Sequence, residues 1–420
     1  MQETSHSENA LAPYRVLDLT QGGCLLCGKL LADLGADVIK IEPPGGDPTR
    51  GLGPFYKDQA SPERSLYWFA YNTNKRGITL NIETEKGQEL FRRLAKTADF
   101  VLESFNPGYL DNLGLGYAAL SEINPKLVMT SITPCGQTGP YTGFKGPDLI
   151  TWALGGYLFV VGYPEKPVWI SFPQASIQAG AEAAGASLVA HWHRTQSGEG
   201  QHVDVSIQEC VTDLLWNVTE YWDLNKTIVN RVGNAWKTAH AVMRQVFTVK
   251  DGHVALLLMG GGGAGMVASD KALVGLMDEA GMAPEWLKTF DWVHEFDTMK
   301  MTQETFDKVA GPIAKFLLTQ TKERLFAEAI KRRILVAPAN TVKDILESPQ
   351  LKARNFWVEL EHPELGETLK YSGAFVQLSE TPIKIRRRAP LVGEHNDEIY
   401  VNELGMTKRY VTTLRKAGVI

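Results

Sequence analysis

The sequence has little cysteine. Four residues in 420, Cys24, Cys27, Cys135 and Cys210, do not make the dense cross-linking of a small secreted scaffold. It has no excess of basic charge: 43 Lys and Arg against 48 Asp and Glu give a net charge of −5, without the positive footprint of a nucleic-acid binder. It has no long apolar run. The longest, residues 254–259, falls far short of the roughly 18 uncharged residues a spanning helix needs. Residues 1–12 are polar, with no basic start and no apolar core, so they do not read as an export signal. Internal repeats and low-complexity tracts are lacking too. By elimination, the expectation is a cytoplasmic protein that partners neither membrane nor nucleic acid. What is present, 44% apolar and 22% charged residues, is ordinary for a globular chain. The length suits two or three domains, or one large interwoven α/β body.

The N-terminal part alternates strand and helix patterns. Tyr14-Arg-Val-Leu-Asp-Leu-Thr20 reads as a strand ending in a Gly22-Gly23 turn. A helical pattern follows over residues 24–34, with Leu26, Leu30, Leu31 and Leu34 on one face, and Gly35 stops it. Residues 36–42 are a second strand, so this is a β-α-β unit and predicts a parallel sheet. Residues 78–82, 100–103 and 127–132 continue the theme, with an amphipathic helix at 85–96. Residues 176–194 form a long helix of small residues, which predicts burial against another element or subunit. A second α/β region opens with a hairpin at 246–255, and residues 359–375 read as short strands turning at Gly366 and Gly373.

Several motifs have bland readings that outweigh the sharp ones. Cys24-Leu-Leu-Cys27 has no second pair to complete a zinc site, and residues i and i+3 of a helix are simply core neighbours. Residues 260–265, Gly-Gly-Gly-Gly-Ala-Gly, satisfy a dinucleotide pattern but stand outside the first β-α-β unit. They predict a loop that approaches a ligand through its backbone. His191 and His193 flank Trp192 and read as packed or surface histidines. The clusters at 331–333 and 386–388 read as solvated basic faces that could meet a phosphate. No metal site is expected.

A longer, ordered set of segments is more specific. It comprises Val16-Leu-Asp-Leu-Thr20, Leu34-Gly-Ala-Asp-Val-Ile-Lys-Ile-Glu-Pro43 and Asn74-Lys-Arg-Gly-Ile-Thr-Leu-Asn-Ile82. Then come Asp99-Phe-Val-Leu-Glu-Ser-Phe-Asn-Pro-Gly108, Leu113-Gly-Leu115, Asn124-Pro-Lys-Leu-Val128, Gly198-Glu-Gly-Gln-His-Val-Asp-Val-Ser206 and Gly393-Glu-His-Asn-Asp-Glu398. Together they resemble class III CoA-transferases, the CaiB/BaiF and formyl-CoA transferase family. The resemblance implies a Rossmann-like large domain and a smaller α/β domain joined by long linkers, in two chains interlocked like rings. It places the large domain at residues 1–225, the small domain with its linker at 226–330, and the rest of the small domain and the return to the large one at 331–420. Coenzyme A thioesters enter as substrates, with no covalently held cofactor. One aspartate carries the acyl group as an anhydride and then CoA as a thioester, which divides a difficult exchange into easier steps.

The chain departs from the family at that aspartate. In Pro173-Gln-Ala-Ser176-Ile-Gln-Ala179-Gly180 the flanking residues match, but Ser176 occupies the nucleophile position. Serine cannot form the anhydride. Asp148 matches another acidic position of the family, at the start of a helix, and reads as a cap. The resemblance gives Gln21, Lys75, Phe105 and Lys145 to CoA binding, while two family arginines align with Pro43 and Asn112. Losing guanidinium groups removes bidentate phosphate recognition. The resulting expectation is the subunit without the nucleophile of a heteromeric CoA-transferase, inactive alone and paired with an Asp-bearing paralogue. It would move CoA from an acyl-CoA such as succinyl-CoA to an acid such as benzylsuccinate, as in anaerobic toluene degradation. A homodimeric CoA-thioester enzyme without the covalent aspartate and a non-enzymatic CoA-binding protein are the alternatives.

Overall fold

Runs of Val, Ile and Leu bounded by polar turns become six strands in the computed structural model, which describes residues 9–261 and 263–420. The first eight residues of the polar start, and Gly262 of the glycine run, lie outside the described residues. The strands are β1 (Arg15–Leu19), β2 (Asp37–Glu42), β3 (Arg76–Thr79), β4 (Phe100–Glu103), β5 (Val128–Thr133) and β6 (His202–Ser206). They lie in the order β3-β2-β1-β4-β5-β6, and each neighbouring pair is parallel. β4 and β5 are buried along their whole length, as strands covered on both faces must be, although β5 carries Thr130, Ser131 and Thr133 and β4 ends in Glu103. The fold is Rossmann-like α/β. Its strand order reverses between β1 and β4, which opens a crevice beyond the carboxyl ends of those strands.

Five helices position the site: α1 (Leu25–Asp33), α2 (Glu85–Ala95), α3 (Tyr117–Ile123), α4 (Asp148–Leu154) and α5 (Gln174–Ser197). The Thr84 hydroxyl caps α2 by accepting from Gly87 N–H, and Leu90, Phe91 and Leu94 face the sheet. α5 is the helix of small residues. Ala179, Gly180, Ala183, Ala184 and Ala190 are buried within this chain. A methyl at Gly180 would stand 3.0 Å from the Gly23 carbonyl, so the glycine lets α5 approach the start of α1 without the turn having to give way. The buried Ser187 hydroxyl is satisfied by Thr130 Oγ1 at 2.7 Å and the Ala183 carbonyl.

The chain divides into two compact units. The first holds residues up to Leu158, Trp169–Ile228 and Gln350–Ile420. The C-terminal segment seals the β3 edge. His395 N–H donates to the Gly77 carbonyl at 2.9 Å, Gly77 N–H to His395 Nδ1, and Thr79 N–H to Asn396 Oδ1. This explains the Gly393-Glu-His-Asn segment structurally. Of the short strands expected over residues 359–375, Trp357–His362 and Glu367–Ser372 pair antiparallel about Gly366, and no strand follows Gly373 in that segment. The second unit holds Phe159–Val168 and Val229–Pro349. In it Val246–Val249, Gly252–Leu256 and Val336–Pro338 form an antiparallel sheet. Its core includes Phe247, Met277, Trp292, Phe296 and Ile313.

Candidate active site

Charged residues stand at buried positions of β1 and β2, where the pattern of a doubly covered strand leaves no room for them unless they are paired. Asp18 and Lys40 are register partners. Lys75 Nζ donates to Asp18 Oδ2 at 2.8 Å, to the Leu25 carbonyl and to Asn72 Oδ1. Asp18 Oδ1 accepts from both Thr20 N–H and the Thr20 hydroxyl, and Lys40 Nζ donates to the Thr20 carbonyl. This network fixes the turn from β1 into Gln21-Gly22-Gly23. Gly28 allows it, because a methyl there would overlap the Asp18 carboxylate. Cys24 and Cys27 are free, and burial pushes the Cys24 thiol up to about 12.

That turn abuts the start of α5. A methyl at Gly23 would collide with the Ser176 hydroxyl. α5 begins at Pro173 without a side-chain cap of its own. Asp148 supplies one from 28 residues away: its Oδ1 accepts from Ser176 N–H at 2.9 Å and from Ser176 Oγ at 3.1 Å. The sequence reading made Asp148 a cap of its own helix; the structure corrects this, since α4 has no side-chain cap and Asp148 serves α5. A carboxylate is favoured there by the N–H groups at the helix terminus. Burial nevertheless pushes the Asp148 carboxyl up against those hydrogen bonds. Among the described residues its Oδ2 is buried without a hydrogen-bond partner, as is the Tyr67 hydroxyl, on which the Asp148 charge acts.

The crevice at the switch point has a volume of about 370 Å³. Gln21 and Phe105 line it with Pro43, Pro44, Leu80, Glu83 and Tyr109. Phe105 and Tyr109 stack obliquely, with centroids 4.7 Å apart. Phe105 is held through its backbone, whose N–H donates to Glu103 Oε2 at 2.7 Å. Burial pushes the Glu103 carboxyl up to about 7, against the hydrogen bonds from Ser131 and Phe105. A carboxyl raised above its unfolded value stabilises the fold at low pH, and that contribution is lost as pH rises through the folded value. Stability is therefore expected to fall between about pH 4.5 and pH 7, and Glu103→Gln to flatten that slope. Urea unfolding across the range measures it.

The structure brings Gln21 and Phe105 to one crevice and sets Ser176 beside Asp148. Lys75, which the resemblance gave to a CoA phosphate, is sealed: it is 0% exposed and its ammonium is fully engaged inside the protein. Lys145 is exposed in the loop between β5 and α4 and does not line the crevice. Tyr109, Glu83 and Glu103 went unnoticed in the sequence. The only signal for Glu103 was a charged residue ending an otherwise apolar strand. His191 is a packed histidine, hydrogen-bonded to Arg194 and edge-on to Tyr14. Arg332 and Arg388 of the basic clusters are paired with glutamates.

Comparison with known proteins agrees over nearly the whole chain. Subunit BbsE of succinyl-CoA:(R)-benzylsuccinate CoA-transferase from Thauera aromatica is 35% identical over 412 residues, 97% of each chain. The beta subunit of succinyl-CoA–L-malate CoA-transferase from Chloroflexus aurantiacus is 31% identical over 98% of each. The crystal structure of a CAIB/BAIF family protein from Brucella suis superposes with a TM-score of 0.80 at 29% identity, covering 94% of this chain and 100% of that one. The model of CoA-transferase family III matches residues 11–396. On sequence, fold and extent alike, the chain belongs to CoA-transferase family III, the CaiB/BaiF family.

Proposed function

We propose that this chain is the subunit without the nucleophile of a heteromeric family III CoA-transferase. Its complex would take CoA from succinyl-CoA and pass it to a carboxylic acid such as benzylsuccinate. The observation that carries this reading is Ser176. It stands where the family resemblance requires aspartate, and its hydroxyl is already spent on Asp148 and the Pro173 carbonyl. An oxygen ester on serine would be too stable to return its acyl group to a thiol, whereas a carboxylate forms the anhydride that thiolate readily opens. The carboxylate therefore comes from the partner.

The helix Trp216–Asn225 supports a partner chain. It has no buried residue in this chain, yet it carries Trp216, Tyr221, Trp222 and Leu224 exposed. Contiguous apolar groups of that size are costly in water and mark an interaction face. Val189 and Trp192 of α5 are exposed in the same way. An interlocked pairing, as the resemblance implies, would cover such surfaces. Two of the relatives named above are themselves subunits of CoA-transferases that act on succinyl-CoA.

Co-expression with an Asp-bearing paralogue tests the reading. A mixed assembly is expected, in which succinyl-CoA labels only the partner with a covalent CoA adduct, seen by intact mass. A fully active purified homodimer of this chain would sink it. The unpartnered Asp148 Oδ2 favours one second reading, a homodimeric CoA-thioester enzyme with Asp148 as its acid or base. In that case Asp148→Asn would abolish turnover by the lone chain.

A further inference from the structure

A second pocket opens between α1, the helix Leu66–Tyr71 and the hairpin of residues 357–372, and it shares no residue with the switch-point crevice. Its volume of about 320 Å³ lies at the low end for small-molecule sites. Leu66, Phe69 and Ala70 line it from the helix, and Leu369, Tyr371 and Trp357 from the hairpin. The Tyr371 hydroxyl hydrogen-bonds His362 Nε2 at 2.7 Å, His362 Nδ1 hydrogen-bonds Glu364 at 2.7 Å, and Glu364 pairs with Arg388 at 2.9 Å. His362 is fully buried, with its ring 4.8 Å from that of Phe69, centroid to centroid. These bonds tie the hairpin to the helix, so the two walls are set before anything binds. The polar groups of the lining are Lys29, Lys370 and Ser372; among the described residues no Asp or Glu lines it. Lys29 Nζ gives two of its three N–H groups to Asp33 and Thr73, at 2.6 and 2.9 Å, and keeps the third. Lys370 is exposed, and among the described residues its ammonium has no ion pair, although Glu359 is its cross-strand neighbour. Trp357 adds a buried indole N–H that has no acceptor among the described residues. A buried donor left unpaired is costly.

We propose that this pocket binds an apolar monocarboxylate, an aryl- or alkyl-substituted acid. Its body lies between the helix and the hairpin, and its carboxylate faces the Lys370 ammonium and the spare N–H of Lys29. Six apolar and aromatic side chains ask for an apolar body, and two cations without a carboxylate beside them in the lining ask for an anion. Lysine ammonium groups act as point charges, which suits a single carboxylate and offers no guanidinium fork for a phosphate. The site is separate from the one at Ser176, so the proposal goes beyond the transferase reading: the acid bound here is not the one that receives CoA.

Calorimetric titration of the full chain with 4-phenylbutyrate tests this, with 4-phenylbutylamine as the same body carrying the opposite charge. The acid is expected to bind with a Kd of about 1 mM or better, and the amine at least about tenfold more weakly. Added salt should narrow that gap. Lys370→Glu should weaken the acid by about tenfold. Leu66→Ala should weaken it by about threefold without changing its salt dependence, since it removes wall and not charge. Both residues are exposed, so neither variant endangers the fold. Saturating CoA should leave the affinity for the acid unchanged, because the pocket shares no residue with the crevice. No binding of the acid at about 10 mM, or an amine that binds as tightly, would overturn the proposal. So would an affinity that Lys370→Glu leaves unchanged or that CoA abolishes, since either places the acid elsewhere.

Discussion

Replacing Lys75 with methionine is expected to destabilise the fold by about 3–5 kcal/mol, because it leaves the Asp18 carboxylate buried and uncompensated. Both side chains are fully buried, and among the described residues the ammonium is the only cation hydrogen-bonded to Asp18. Burial alone would raise the Asp18 carboxyl. The charges of Lys75 and Lys40, with hydrogen bonds from Lys75 and Thr20, overcome burial and hold it below the ordinary value. A depressed carboxyl contributes stability that is fully present above its unfolded value near pH 4 and is lost as pH falls further. Removing Lys75 reverses the sign, so the deficit of the variant should shrink as Asp18 is allowed to protonate. Urea unfolding at pH 7 and pH 4.5 separates the two cases. The double variant Asp18→Asn with Lys75→Met should recover more than half of the loss. A loss under about 1 kcal/mol together with weaker CoA binding would instead return Lys75 to the role of phosphate ligand that the resemblance implied.

Ser176→Asp is the obvious attempt to restore the missing nucleophile, and it is expected to fail alone. The serine hydroxyl lies 3.1 Å from Asp148 Oδ1, so the new carboxylate would face an existing one. Like charges at that separation do not both ionise; the pair holds one proton and titrates as a unit. Burial already raises Asp148, which deepens the conflict. Adding Asp148→Asn removes the competing charge and keeps an oxygen for the N–H groups at the start of α5. At pH 7 the double variant should form a covalent CoA adduct from succinyl-CoA at least about tenfold faster than Ser176→Asp, and the gap should close as pH rises. Intact mass after rapid quenching reads both. Equal rates would show that the two carboxylates do not couple. No adduct in either would show that this chain lacks more than its nucleophile.

The parallel sheet was legible because its signal is local. Apolar runs such as Phe100-Val-Leu and Leu127-Val-Met announce strands buried on both faces, and Gly35 between helix and strand fixes a β-α-β crossover. The small-residue helix was legible for the same reason, although only the structure shows that Gly180 sits against Gly23 and Ser187 against Thr130. The hairpin at Gly366 followed from alternation around a turn residue. Ser176 was found by register within a recognisable segment, again a local property.

What the sequence determined by itself was therefore the α/β class, the parallel sheet implied by its crossovers, and the family to which its ordered segments point. The tertiary structure alone decided what the charged residues do. Lys75 meets Asp18 across 57 residues, and Asp148 meets Ser176 across 28. No periodicity or propensity carries over such distances, because both arise from backbone geometry within a few turns or pleats. An ammonium in a sequence looks the same whether it waits for a phosphate or is sealed against a carboxylate. Only packing removes the water that makes those two fates differ, and here packing turned one expected phosphate ligand into the anchor of the turn that precedes the site.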